Sequence, residues 1–276
     1  MTQTSSLAWP LLGVDFTSAP SRRKPITVAR GSLAGAVLRL DHLEELVDFA
    51  DFEALLNAAG PWLGAFDFPF GLPRAFVEDL ALGADADSVI DGLRQRCATR
   101  MDFRALVDTW GNGRPSGQRL LHRRTDLALP GTRSTSPLQT RYVPVGFMYY
   151  EGLSRLVAAD VTLPGLRAGD ARRIGVEAYP GLLAVELIGT RSYKNSEAAD
   201  RLIARKDLVD ALEQGRSRLG WRLKLTHAQR ERLVDDASGD RLDAVLCLMQ
   251  AAWSAGRADF GVPAGADPVE GWIATA

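Results

Sequence analysis

Three short β-prone runs, a helical run and a nearly all-apolar run follow one another in the first 68 residues, and this order restricts the fold more than any other feature. Residues 11–16, 26–30 and 36–40 have the apolar, β-branched character of short strands, separated by turns rich in Ser, Pro, Arg and Gly. In the following DHLEELVDFADFEALLNAAG, Leu43, Leu46, Val47 and Ala50 fall at helical spacing behind Asp41 as N-cap. Gly60 and Pro61 end the run, so a helix is expected there. Residues 62–68 read as a strand buried on both faces and broken only by Asp67. A β-β-β-α-β order places a hairpin pair before a crossover, which can lay the last strand parallel to the first. The expectation is an α/β protein built on a mixed sheet.

The rhythm then breaks. Residues 75–82 and 88–110 read as helices, 111–146 is rich in Gly, Pro, Arg and Ser, and PVGFMYYEGLSRLVAA suggests another helix. Strand signals resume at Ile174, so 74–171 reads as a mainly helical insertion within a single domain spanning 1–276. A strand at 173–178 and helices at 181–188, 197–214, 227–237 and from 239 onward complete the pattern, without a repeat or a low-complexity segment.

The formal net charge of −1 excludes a molecule that attracts nucleic acid with its whole surface; any such contact is expected to be local. Two cysteines, Cys97 and Cys247, are too few for a disulfide framework or a zinc site, and Cys247 reads as a small core residue of an apolar helix. MTQTSSLAWP lacks the basic-then-apolar pattern of a signal peptide, and no apolar run approaches the ~20 residues that span a bilayer. A cytoplasmic protein without a membrane partner is expected.

Acids mark the ends of apolar runs. Asp15 closes LLGVD, Asp67 lies in GAFDFPFGLP, Glu177 in VEAYPG, and Asp240 and Asp243 sit one turn apart in GDRLDAVLCLMQAAW. An ionised carboxylate withdrawn from water needs a counter-charge. For several hard oxygen donors together, that charge is expected to be Mg²⁺ or Mn²⁺. Three of these acids also have a plainer explanation. Asp15 can cap a turn, Glu177 can pair with one of the many arginines, and Asp240 can complement a helix dipole. Asp67, wedged between Phe66 and Phe68, and Asp243, between Leu242 and Ala244, are harder to explain that way.

The strings GVDFTSAPSRRKPI, FDFPFGLP, YVPVGFMYYEG, VEAYPG, RSYKN and DRLDA resemble the family called domain of unknown function 429, described as predicted nucleases of the RNase H-like superfamily. The resemblance covers nearly the whole chain. It implies an RNase H-like mixed sheet flanked by helices, with Asp15 as the first-strand acid, Asp67 as the fourth-strand acid, and Asp243 as the late-helix acid preceded by Asp240. Glu177 matches a family position without being a standard acid of the superfamily. The implied activity is nuclease or phosphodiester hydrolysis, with two Mg²⁺ ~3.5–4 Å apart on the carboxylates and Asp15 bridging them.

Phosphate charge would then be met by Arg22, Arg23 and Lys24 after the first strand and by Arg191 and Lys194 of RSYKN. A further arginine group, Arg114, Arg119, Arg123, Arg124, Arg133 and Arg141, lies within the insertion; it suits phosphate contacts or simply a solvated loop, with Tyr142, Phe147, Tyr149 and Tyr150 able to stack bases, Phe147 reading better as core. Two other functions stay open: a non-catalytic nucleic-acid or nucleotide-binding module on the same fold, and an actin-like ATPase or sugar kinase, to which GVDFTSA also bears likeness. Against the latter, there is no second Asp-Gly-Thr-type loop and no Gly-Gly adenosine motif.

Overall fold

The computed structural model describes residues 9–128 and 134–276. Seven strands form one mixed sheet: β1 (Leu11–Asp15), β2 (Ile26–Ala34), β3 (Val37–Leu46), β4 (Trp62–Phe66), β5 (Val161–Thr162), β6 (Asp170–Glu177) and β7 (Arg222–Lys224), in the order β5-β6-β4-β1-β2-β3-β7. β1–β2 and β2–β3 pair antiparallel, whereas β1–β4 and β4–β6 are parallel. The expected crossover is therefore present. β1 and β4 lie at the centre, and β4 is buried along its full length, as its apolar composition requires.

Side chains alternate between two cores. Leu11, Ala29, Leu63 and Ala65 face one side, against α6 (Pro180–Ile188), α7 (Ala199–Glu213), α8 (His227–Val234) and α9 (Asp240–Ala255). Leu12, Val14, Val28 and Phe66 face the other, against α1 (Phe49–Leu56), α2 (Arg74–Asp79), α3 (Ala86–Arg96), α4 (Arg100–Asn112) and α5 (Val145–Ala158). The insertion thus supplies most of one helical layer and the edge strand β5. Among the described residues no helix is long and apolar enough to cross a membrane.

Two expectations need correction. Residues 41–46 are strand, not helix: β3 runs on to Leu46, paired with β2 from Ala34 to Ile26 and tied by an Arg30–Glu44 ion pair at 2.6 Å. Leu43 and Leu46, three apart, point to opposite faces of a strand and pack against the two separate cores, which imitates helical spacing. The N-cap is Asp48, whose carboxylate accepts from Asp51 N at 2.9 Å, and not Asp41. The single helix expected over 88–110 is two, broken at Cys97–Ala98, because Thr99 and Asp102 form a second capping box.

One glycine fixes the geometry that matters most. A Cβ on Gly13 would stand 2.1 Å from Ala244 O and 2.2 Å from Leu248 N, so α9 rests directly on the backbone of β1. That close approach brings the first turn of α9 beside the C-terminal end of β1.

Candidate metal centre

Asp15 ends β1, Asp67 follows β4 with its N–H bonded to Val14 O at 2.9 Å, and Asp243 lies in the first turn of α9. Three elements distant in sequence thus converge. Carboxylate oxygens of Asp15, Asp67 and Asp243 all lie within 4.8 Å of one another. Twice a metal–oxygen distance of ~2.0–2.6 Å spans that separation, so one divalent cation can touch all three. The donors are hard oxygens alone, which suits Mg²⁺ or Mn²⁺ and not a soft metal.

The N-terminus of α9 is prepared for this by its own sequence. Ser238 donates to Asp236 Oδ1 at 2.6 Å, and Asp236 Oδ2 and Ser238 Oγ accept from the backbone N–H groups of Arg241 and Asp240. Gly239 takes a left-handed φ of 83°, and a Cβ there would meet Lys194 Cγ at 2.8 Å. A side chain at 239 would push away the segment that carries Tyr193 and Lys194. Asp243 is completely buried; Tyr193 Oη donates to its Oδ1, and the Lys194 ammonium sits against its Oδ2.

Burial dominates the electrostatics. It holds the Asp15 carboxyl well above the usual range, with Asp67 and Asp240 adding repulsion and Lys194 and Lys24 opposing it. Burial likewise pushes Asp67 up to about 6, against the pull of Lys194 and with a smaller push from Glu177. Asp240 is raised by partial burial, with Lys24 the main opposing charge. Asp240 is therefore a neighbour of Asp15, though not one of the three converging acids. Four carboxylates share two lysines.

The same acids mark groups that sequence reasoning passed over. Burial raises the Tyr193 hydroxyl far above its usual range, reinforced by Asp67 and Asp15, and the Tyr179 hydroxyl is raised by burial and by Asp67. Cys247, read as a plain core residue, lies beneath the cluster: burial, then Asp67 and Asp15, raise its thiol, and it contacts the backbone of Val14. Its spacing of four from Asp243 was the available signal, since both fall on one helical face.

Glu177 belongs to a different arrangement. Arg123 grips it with two bonds of 2.8 and 2.6 Å, while Phe70 N donates to Oε2 at 2.9 Å. The same guanidinium binds Asp126 and the Glu270 carbonyl and is 1% exposed. Glu177, a candidate catalytic acid by sequence, is here one half of a buried ion pair, and Arg123, a candidate phosphate ligand, has every face of its guanidinium taken by carboxylates and a carbonyl rather than by solvent. Arg124 lines a separate crevice with Asp267 and Glu270, which holds none of the three converging acids. Arg191 bonds to Asp207 and the Ile188 carbonyl. Arg114 pairs with Asp79, Arg119 donates to the Arg114 carbonyl, and Arg141 pairs with Asp108. Arg133 lies outside the described residues. Arg22 and Arg23 are exposed, and of that basic run Lys24 is the residue whose charge reaches the acids.

No protein-family model, no curated protein and no solved structure matches this chain.

Proposed function

We propose that the chain is a metal-dependent phosphodiester hydrolase, a nuclease of RNase H-like fold related to the family called domain of unknown function 429. The observation that carries this reading is the convergence of Asp15, Asp67 and Asp243 oxygens within 4.8 Å of one another. The sheet supports it: β1, β2 and β3 form an antiparallel meander with β7 added parallel to β3, β4, β6 and β5 continue from β1 in parallel on the other side, and the acids stand where central strands end and a late helix begins.

Bound Mg²⁺ or Mn²⁺ would make water a better nucleophile and stabilise charge on the departing oxygen. Asp15 and Asp67, the two partly exposed carboxylates, would hold the cation together with the buried Asp243. Tyr193 keeps Asp243 in place by donating to its other oxygen. Lys24 and Lys194 supply the positive charge that a phosphodiester anion needs on approach. In the reaction a water oxygen bonds to phosphorus, one ester P–O bond breaks, the alcohol leaves with a proton, and the water gives up its own proton.

A second reading is favoured by one contact. The Lys194 ammonium already pairs with Asp243 and so supplies a counter-charge to that buried carboxylate without a metal, as a non-catalytic binding module would need. Incubation with a mixed panel of DNA and RNA substrates separates the two. Mg²⁺-dependent cleavage that Asp15→Asn abolishes supports the hydrolase; tight binding without cleavage in any divalent ion supports the module.

A further inference from the structure

A cavity of about 170 Å³ opens beside the carboxylate cluster and shares Asp67 with it. Its walls are mainly apolar, with Pro69, Val143, Val145, Met148 and Ile273 among them, and Tyr179 lines it as well. The polar groups of the Arg123–Glu177 pair also line it, but their charges are already matched to each other. The Ser134 and Thr135 hydroxyls line it too, so the cavity favours a flat, largely apolar group with polar edges over a phosphate. Tyr142, next in sequence to the exposed wall residue Val143, is almost fully exposed at 99% with a left-handed φ of 59°, and lines a separate crevice with Leu138 and Arg141.

Resting on the hydrolase reading, we propose that this cavity receives a single-ring base from an unpaired nucleotide next to the scissile phosphate, with Tyr142 as a stacking platform for the neighbouring base. Within one nucleotide of a phosphate, the base is the flat and largely apolar part, so it is what an apolar pocket sharing Asp67 would hold. Size points to one ring: an apolar cavity of ~150 Å³ accommodates benzene. A base can enter only when it is unpaired or flipped out of its stack. The substrate class is thus single-stranded nucleic acid, or a site with an unpaired pyrimidine, and not an intact duplex.

Fluorescence anisotropy in Ca²⁺ buffer tests this with a fluorescein-labelled oligothymidylate, the matching oligoadenylate and their duplex. Oligothymidylate should bind about tenfold or more tightly than the duplex, and more tightly than oligoadenylate. Val145→Phe, at a half-buried wall position, should fill the cavity and erase the preference for thymidine. Tyr142→Ala, fully exposed and therefore harmless to folding, should weaken single-strand binding about tenfold. Equal affinity for duplex and single strand overturns the proposal, as does unchanged oligothymidylate binding in both variants. Ca²⁺ binding without affinity for any of the three nucleic acids would overturn the hydrolase reading itself.

Discussion

Asp67→Asn should stabilise the metal-free protein at neutral pH and remove most of its thermal response to Mg²⁺. Burial raises the Asp67 carboxyl to about 6, against ~3.9 in an unfolded chain. Between those values the folded state binds the extra proton, so stability falls as pH rises through this window and stays lower above it. At ~1.4 kcal/mol per pKa unit the penalty at neutral pH is about 3 kcal/mol. That is a ceiling, because Asp67 is partly solvent-exposed and titrates together with Asp15. A chain of this length loses roughly 2 °C of melting temperature per kcal/mol, which makes about 6 °C. Melting curves from about pH 4 to about pH 8, with and without Mg²⁺, read the difference between wild type and variant and so cancel the other titrating groups. The gap should open between about pH 4 and pH 6 in the absence of metal and close in saturating Mg²⁺, by mass action on the folded state. A variant less stable than wild type at pH ~7 that keeps its full Mg²⁺ response would show that Asp67 is a turn-forming residue, and the metal centre would lose a ligand.

Other consequences follow from the packing. Arg123→Met leaves Glu177 and Asp126 buried without their cation and should cost about 3–5 kcal/mol in chemical denaturation. Glu177→Gln keeps the Arg123–Asp126 pair and should cost less; loss of cleavage by this variant with an unchanged melting temperature would restore a catalytic role to Glu177. Gly13→Ala forces α9 off β1, so Mn²⁺ affinity measured by calorimetry should drop sharply even in the fraction that folds; unaltered affinity would mean that the close approach does not position Asp243. Tyr193→Phe frees one oxygen of Asp243 from its hydrogen bond and should weaken Mn²⁺ binding while costing about 1 kcal/mol of stability.

The legible parts of the sequence were those in which local pattern and tertiary role coincide. Asp15, Asp67 and Asp243 each interrupt or end an apolar run, and a buried acid without a local partner points to something outside the run. Glu177 carries the same local signature, yet its partner Arg123 is 54 residues away, and only the fold decides which arginine reaches it. The arginine-rich stretch misled for a related reason: charge counts a guanidinium as available, whereas Arg114, Arg123 and Arg141 are each consumed by an acid brought from elsewhere. At 41–46 the long partner strand overrode helical spacing, because past an irregularity at Asp41 β2 pairs His42 to Leu46 with Arg30 to Ile26, a ladder that a short helix beginning at Asp41 would forfeit.

Charge at the cluster sets a limit on its ligands. Asp15, Asp67, Asp240 and Asp243 stand against Lys24 and Lys194, so four carboxylates and two ammonium groups leave a formal −2. On the proposed reading one divalent cation neutralises that charge in the free protein, and a second would leave an excess of +2 in a largely buried site. A phosphodiester brings one negative charge per phosphate, which makes room for the second ion only alongside substrate. Lys194 then acts as the placeholder: its ammonium rests against Asp243 Oδ2 and must withdraw if an ion is to use that oxygen. Removing it should leave the free protein one charge more negative. Mn²⁺ titration followed by electron paramagnetic resonance should therefore give one tight site in the wild type and tighter binding in Lys194→Met. Two equally tight sites in the unliganded wild type would mean that the lysine does not guard the centre and that its pairing with Asp243 is merely structural.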